Sequence, residues 1–487
     1  MFAAIDLGSN SFRLHVGAFD GRAMRVIRSA RDPVRLGGGI DQLGNLTDEA
    51  IASAISSLNQ FRELLATYSL DAVRAVATNT LRVAKNAQAF LPKAETALGY
   101  PIEIISGREE ASLIYAGVAR AIAIPCERRI VVDIGGGSTE VVLGEGHTVE
   151  RADSVAIGTI DQSRKFFPDG RIDPVAFETA IRAARSALLD SDLLRYPLYW
   201  TKSYGSSGTI RAIASVIASN AIGDGVVSRR SLEVLKAYFL RSGHLNRIRI
   251  PGLRADRVPA VVGGVTILLA MADLFDIKEL QPVDAGLRIG VMWDMHARLT
   301  HRDRREQSVR EFLMRFRVDD AHSNRVAQLA AMLYAQLKPG AERYSSYLYW
   351  SALLHSIGMT VSRTGHHKHA AYLIANGELP GYSSGEQRTM STLIVAQKGN
   401  LEKVKDLLCD LDFAKAVLAM RLAVILSYLC PAVDTRGLRV AMTSLIQLEI
   451  PGDWLKGRAE LWPRLIKEKD CWRKVGREFS VRVGQPV

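Results

Sequence analysis

The chain opens on an apolar run, Phe2 to Ile5, which meets Asp6-Leu7-Gly8-Ser9-Asn10-Ser11 and then a second β-rich run, Phe12 to Gly17. The same order returns 127 positions later: Ile130 to Val132, then Asp133-Ile134-Gly135-Gly136-Gly137-Ser138, then Thr139 to Gly144. A self-match held at one offset marks a duplicated unit, here strand, Gly/Ser turn, strand. Between the copies, Thr47 caps a helix in which Ile51, Ile55, Leu58, Phe61 and Leu65 recur at helical spacing. Asp71 to Thr78 and Ile102 to Ile105 read as strands, and Glu109 to Ala121 as a helix that starts with two carboxylates. Beyond the second copy, Tyr204-Gly205-Ser206-Ser207-Gly208-Thr209 is a third Gly/Ser turn, leading into a helical pattern from Ile210.

From about residue 300 long helical patterns take over. His301 to Arg317 carries Arg302, Arg304, Arg305, Arg310, Arg315 and Arg317, the pattern of a solvated helix face that could also border a polyanion. Val440 to Ile450 alternates like one strand, a basic helix-like stretch follows, and Phe479 to Val483 reads as a second strand, together a small α+β tail. Two apolar stretches, Val258 to Phe275 and Leu411 to Cys430, are interrupted by glycines and Asp273 or by Lys415 and Arg421. Neither supplies the roughly 20 unbroken apolar residues of a membrane span, so both are expected as core helices. The N-terminus has no basic n-region and reads as a buried strand, which with the absence of a span points to the cytoplasm.

At 487 residues the chain exceeds the size of one core. With 48% hydrophobic and 23% charged residues its composition is that of a globular protein. The net charge of +12 changes the picture, because a basic surface gathers polyanions. The four cysteines, Cys126, Cys409, Cys430 and Cys471, stand far apart and form neither a zinc pattern nor a disulfide framework.

The turns carry the candidate chemistry. Glycines let a backbone approach a ligand closely. Successive N–H groups there, with the hydroxyls of Ser9, Ser11 and Ser138, make an anion-binding nest. Asp6 and Asp133, each at a strand end just before its turn, are placed to hold a hard cation. One Asp-x-Gly is an ordinary turn sequence; two copies facing across a cleft would clamp a phosphate from both sides. The third turn, leading into a helix N-terminus, adds another anion site. No GxxxxGK[ST] occurs, which excludes a Walker-type loop.

These residues resemble the exopolyphosphatase / guanosine pentaphosphate phosphohydrolase family, of the acetate kinase, sugar kinase and actin superfamily. The resemblance rests on Ala4 to Ser11, Thr78-Asn79-Thr80-Leu81-Arg82, Ile105-Ser106-Gly107-Arg108-Glu109-Glu110-Ala111, Asp133 to Glu140 and Gly205 to Thr209. It implies an α/β fold of duplicated ribonuclease-H-like (actin-like ATPase) domains, 1–124 and 125–299. A mainly helical, degenerate HD-like domain, 300–437, and a small α+β domain, 438–487, would follow. It implies Glu110 as the catalytic glutamate that activates water, and its helix N-terminus would favour the ionised form. Asp133 and Glu140, with Asp6, would attend magnesium. Gly8, Ser9, Asn10, Ser11, Arg82, Gly135, Gly136, Gly137, Ser138, Gly205, Ser206, Ser207, Gly208 and Thr209 would bind phosphate. In the helical region His322, and His355 before Ser356, resemble HD-type histidines. Ser356 stands where a metal-bridging aspartate belongs, so no second catalytic metal is expected. His366, His367, Lys368 and His369 form a cationic-capable cluster nearby. Asp284-Ala285-Gly286-Leu287-Arg288-Ile289-Gly290 departs from the family's Asp-Gly-Ala-Leu-Arg-Glu-Gly and is read as packing.

The expected activity is release of terminal phosphoryl groups from inorganic polyphosphate, with guanosine pentaphosphate as the alternative substrate. A polyphosphate- or ATP-dependent kinase and a nucleotide-gated binding module are more distant readings. The resemblance also implies a homodimer; no nucleic-acid partner is expected.

Overall fold

The computed structural model describes residues 1–195, 199–300, 305–377, 379, 381–429, 437–443, 445–452 and 460–484. Strands β1 (Phe2–Leu7), β2 (Phe12–Phe19), β3 (Met24–Asp32), β4 (Ala72–Ala77) and β5 (Ile102–Ile104) form a mixed sheet in the order β3-β2-β1-β4-β5. Strands β6 (Arg128–Ile134), β7 (Thr139–Glu145), β8 (Thr148–Val155), β9 (Lys202–Gly205) and β10 (Gln281–Pro282) form a second, which runs β8-β7-β6-β9-β10 when read in the matching direction. Both are antiparallel at the first hairpin and parallel at the next pairing. Even the register repeats: Asp6 lies opposite Arg13, and Asp133 opposite Glu140. The self-match in the sequence is therefore a duplicated sheet.

Local chemistry explains the elements. On β2, Phe12, Leu14 and Val16 turn into the core, and Arg13 and His15 face the other way, as a period of two requires. Thr47 caps Asp48–Leu65 by accepting the Ala50 amide. The helix expected from Glu109 begins at Gly107, because the Ser106 hydroxyl accepts the Glu109 amide at 3.1 Å.

The helices that close the two halves are exchanged. Gly107–Ile122 follows β5 of the first sheet yet packs on β6, β7 and β8 of the second; Leu287–Leu299 follows β10 of the second yet packs on β1, β2 and β4 of the first. A boundary at 124 therefore separates each helix from the sheet that it covers. The two helices meet through Gly117 and Gly290, where a Cβ on Gly290 would overlap the Leu113 carbonyl. Gly290→Ala is expected to cost about 1–3 kcal/mol, as overpacking does, read as a lower midpoint in urea.

Val258–Leu274 runs through the core of the second half. Its glycines do not break it: Gly263 and Gly264 admit the Thr159 carbonyl and the Thr209 methyl. By length and composition alone Ala255–Leu274 could cross a membrane, which the sequence reading had not allowed; 67% of its apolar 18-residue window is buried in the protein, and it packs as the expected core helix.

Residues 1–303 form one compact unit and 304–487 another. In the second, the helices Asp320–Gln336, Ser345–Leu354, Ser384–Ala396 and Leu411–Leu429 share one hydrophobic core with β11 (Arg439–Met442), β12 (Leu445–Pro451) and β13 (Glu478–Gly484). The stretch read as one strand over 440–450 is thus a hairpin, with β13 parallel to β12. The buried Arg421 joins Glu468 (Nη2 to Oε2, 2.7 Å), whose Oε1 also accepts from Trp472, so the tail is fastened to the helices rather than standing apart. Of the basic run, Arg302 and Arg304 lie outside the described residues, as does Cys430; Arg305 faces Glu386 and Arg310 pairs with Glu306.

His322, His355, His366 and His367 of this unit are held below the ordinary imidazole range. His355 is buried, its Nδ1 2.8 Å from the Ala352 carbonyl, and burial takes it down to about 4. Its ring lies 5.6 Å from that of His322, itself lowered by burial and Arg325. His366 is lowered and His367 falls to about 4, first by burial and then by neighbouring cationic side chains.

Candidate active site

The two duplicated turns face each other. Ser9 stands against Gly136 and Gly137 of the opposite turn, and Arg164 of the second half donates from Nη2 to the Gly38 carbonyl of the first at 3.0 Å. Between them is a cavity of about 160 Å³, lined by Gly8 to Ser11, Gly135 to Ser138 and Ser206 to Thr209. Asp6, Asp133 and Glu110 also line it, as do Arg13, His15, Arg211, Arg257 and Arg288. The third turn arrives because β9 runs parallel to β6, and Ser207 then caps Gly208–Ser219 by accepting the Ile210 amide at 3.1 Å. That helix N-terminus opens on the cavity with its amides forward.

Three of the expected residues are not on the wall. Gly205 ends β9 and packs against Ile210 and Leu280. Arg82 does not line the cavity; its Nη1 donates to Glu110 Oε2 at 2.8 Å and to the Ile105 carbonyl at 3.0 Å, so it holds the glutamate. Glu140 is buried beside Asp133, its cross-strand neighbour, and accepts from the Ser154 hydroxyl at 2.9 Å.

The electrostatics divide the cavity. On one side are carboxylates with no counter-charge of equal weight. Burial raises Glu110 to about 7; Arg82 works against the rise, and Asp6 and Asp133 add to it. The macrodipole expected to keep this acid ionised is therefore outweighed by burial. Burial also raises Asp6 against the pull of Arg288 (Nη1 to Oδ2, 3.3 Å) and Arg13. Asp133 is raised by burial although it accepts a short hydrogen bond from the Ser206 hydroxyl. Glu140 is raised well above the carboxylate range by burial, then by Glu110 and Asp133. On the other side are crowded guanidiniums. Burial and neighbouring arginines lower Arg257 and Arg288, and burial with Arg288, Arg13 and Arg211 drives His15 down to about 3. Burial thus opposes the charge on both sides, although Asp6 pairs with Arg288, Glu110 with Arg82 and Arg211 with Asp284.

Residues 16–299 match the model of the Ppx/GppA phosphatase family, and residues 304–459 match that of Ppx/GppA phosphatase, domain III. The chain belongs to the Ppx/GppA phosphatase family. Along 99% of its length it is 32% identical to a guanosine-5'-triphosphate,3'-diphosphate pyrophosphatase of Vibrio cholerae serotype O1, covering 98% of that relative. The crystal structure of the Aquifex aeolicus Ppx/GppA family member superposes with a TM-score of 0.53 at 25% identity, over 62% of this chain and 98% of that one. An exopolyphosphatase from Cytophaga hutchinsonii shares the fold, with a TM-score of 0.53 at 23% identity over 60% of this chain and 97% of that one.

Against this Ppx/GppA framework, the arginines are what sequence reasoning missed. Arg13 and His15 were legible as the polar positions of an alternating strand that directly follows the first turn. Arg211 follows the third turn by less than one helical turn and pairs with Asp284. The segment read as packing, Asp284 to Gly290, does pack through Gly290, yet it also lines the cavity and delivers Arg288 to Asp6. Among the described residues no three carboxylates, histidines or cysteines gather closely enough to hold an ion unaided.

Proposed function

We propose that this phosphatase hydrolyses the terminal phosphoanhydride bond of a phosphate chain, with Glu110 taking the proton of the attacking water. The observation that carries this reading is the divided cavity: one ligand that brings a cation to the carboxylates and phosphate oxygens to the arginines relieves both walls. The water oxygen bonds to the terminal phosphorus as the anhydride P–O bond opposite it breaks. Its proton passes to Glu110, and the leaving phosphate carries away the electron pair. Orthophosphate and a chain one phosphate shorter result. Arg82 holds Glu110 in place, and the amides of the three turns with Arg13 and Arg288 receive the charge that builds on the phosphoryl oxygens.

The donor set fits a hard cation, because all of its groups are oxygens. Asp6 and Asp133, which line the cavity, would hold magnesium together with substrate oxygens, the usual arrangement where one or two carboxylates serve. Glu140 would stand beside Asp133, off the cavity wall. When bound, the ion would supply positive charge to the transferring group.

Guanosine pentaphosphate is the first substrate in this proposal, because the relative matched along the whole chain is named for it. Polyphosphate, which leads on sequence alone, is second, supported by the net charge of +12. Phosphate release from each with magnesium decides the order: the larger kcat/KM names the substrate, and release from neither sinks the proposal. The same assay has an expected pH profile. Glu110 must be ionised to take a proton, so kcat/KM should rise with pH through about 7 and fall away below it. A profile flat from pH 5.5 to 8 would remove Glu110 from this role.

A further inference from the structure

Arg74 is a buried guanidinium that the proposed reaction does not touch. It stands on β4 with 5% of its side chain exposed and does not line the cavity. Its Nη2 donates to Glu103 Oε2 of β5 and to Glu109 Oε1 of Gly107–Ile122, each at 2.8 Å. Its Nη1 donates at 2.8 Å to Asp294 Oδ2 of Leu287–Leu299, which Arg298 also engages at 2.7 Å. Burial opposes the charge of Arg74, and Glu103, Asp294 and Glu109 outweigh it. One side chain of the first sheet thus holds its edge strand and both exchanged helices.

Glu109 and Glu110 are successive residues in the first turn of one helix, so they point about 100° apart. Arg74 takes the first and Arg82 the second. This helix packs on the second sheet, and both arginines come from the first half. We propose that Arg74 is a positioning residue: its grip on Glu109 sets the roll of the first turn, and so the point from which the Glu110 carboxylate meets the attacking water. The inference rests on the reading of Glu110 as the base. A shift of about 1 Å in such a group costs on the order of 10²-fold in rate.

The decisive variant is Glu109→Met, which removes the acceptor at similar length and leaves Arg74 paired with Glu103 and Asp294. Its kcat is expected to fall roughly 10- to 100-fold with KM nearly unchanged. Arg74→Met, where it yields folded protein, should show the same loss, and the double variant no further loss. In a Glu110→Gln background, adding Glu109→Met should leave the residual rate where it was, because nothing remains to position. A folded Glu109→Met enzyme with wild-type kcat overturns the inference. So does an equal loss in the Glu110→Gln background, the mark of a merely structural role. Full activity in Glu110→Gln itself would instead bring down the reading of the base, and this inference with it.

Discussion

Glu110→Gln should lower turnover by about 10³-fold and at the same time make the ligand-free protein harder to unfold at pH 8. The first effect is loss of the group that takes the proton of water. The second follows from burial. A carboxyl whose pKa is raised in the folded state contributes stability that is fully present below its unfolded value, near 4.5, and is lost as pH rises through about 7. Glutamine has the same shape and no charge to bury, so it escapes the loss. The shift from 4.5 to about 7 corresponds to roughly 3 kcal/mol at pH 8 and to nothing near pH 4.5. Thermal unfolding of both proteins at pH 5 and pH 8, beside the phosphate-release assay, checks the pair of effects. An inactive variant whose melting difference does not grow with pH would mean that burial is not what raises Glu110.

Arg288→Met is expected to lower kcat/KM by about 10²–10³-fold, the scale of losing one charged donor from a preorganised phosphate site. Arg288 is partly buried, lines the cavity and pairs with Asp6, so its loss weakens the anion-binding wall and leaves Asp6 without its nearest counter-charge. Arg211→Met provides the contrast. Arg211 is more exposed and is shared with a largely exposed Asp284, so its removal should raise KM several-fold and leave kcat nearly intact. Steady-state kinetics of both variants would test the ranking; equal losses would show that the arginines act as one diffuse charge.

The first hairpin of each sheet was legible because its signals are local, whereas β3, β8, β9 and β10 were not read as strands. Alternation along Phe12 to Val16 needs no partner to be read, and the Gly/Ser turns carry their chemistry in the backbone. The exchange of helices was not, because an apolar helix face does not say which of two similar sheets it covers. The hairpin of β11 and β12 was hidden for a related reason: alternation carries on past Met442, and the two residues before Leu445 are neither glycine nor proline. Arg82 shows what resemblance leaves out: nothing in its motif says that a buried carboxylate, Glu110, stands 2.8 Å from its guanidinium. The ionisation of Glu110 was misjudged from its helix position, because a macrodipole offers about 0.3–1 kcal/mol against a burial cost that only the folded chain reveals. Arg288 was lost among small residues that do pack.

The exchange of helices has a mechanical side. With each helix counted beside the sheet that it covers, the backbone passes between the halves twice, over 105–106 and over 283–286. The first passage enters Gly107–Ile122 at its start, and the second comes down beside Gly117 of that same helix. Two passages at separate points along one helix act like the pins of a door. They permit the halves to swing about the line that joins them and resist sliding across it. Opening would therefore part Ser9 from Gly136 along an arc, and each closure would return the two turns to the same registration without searching for it.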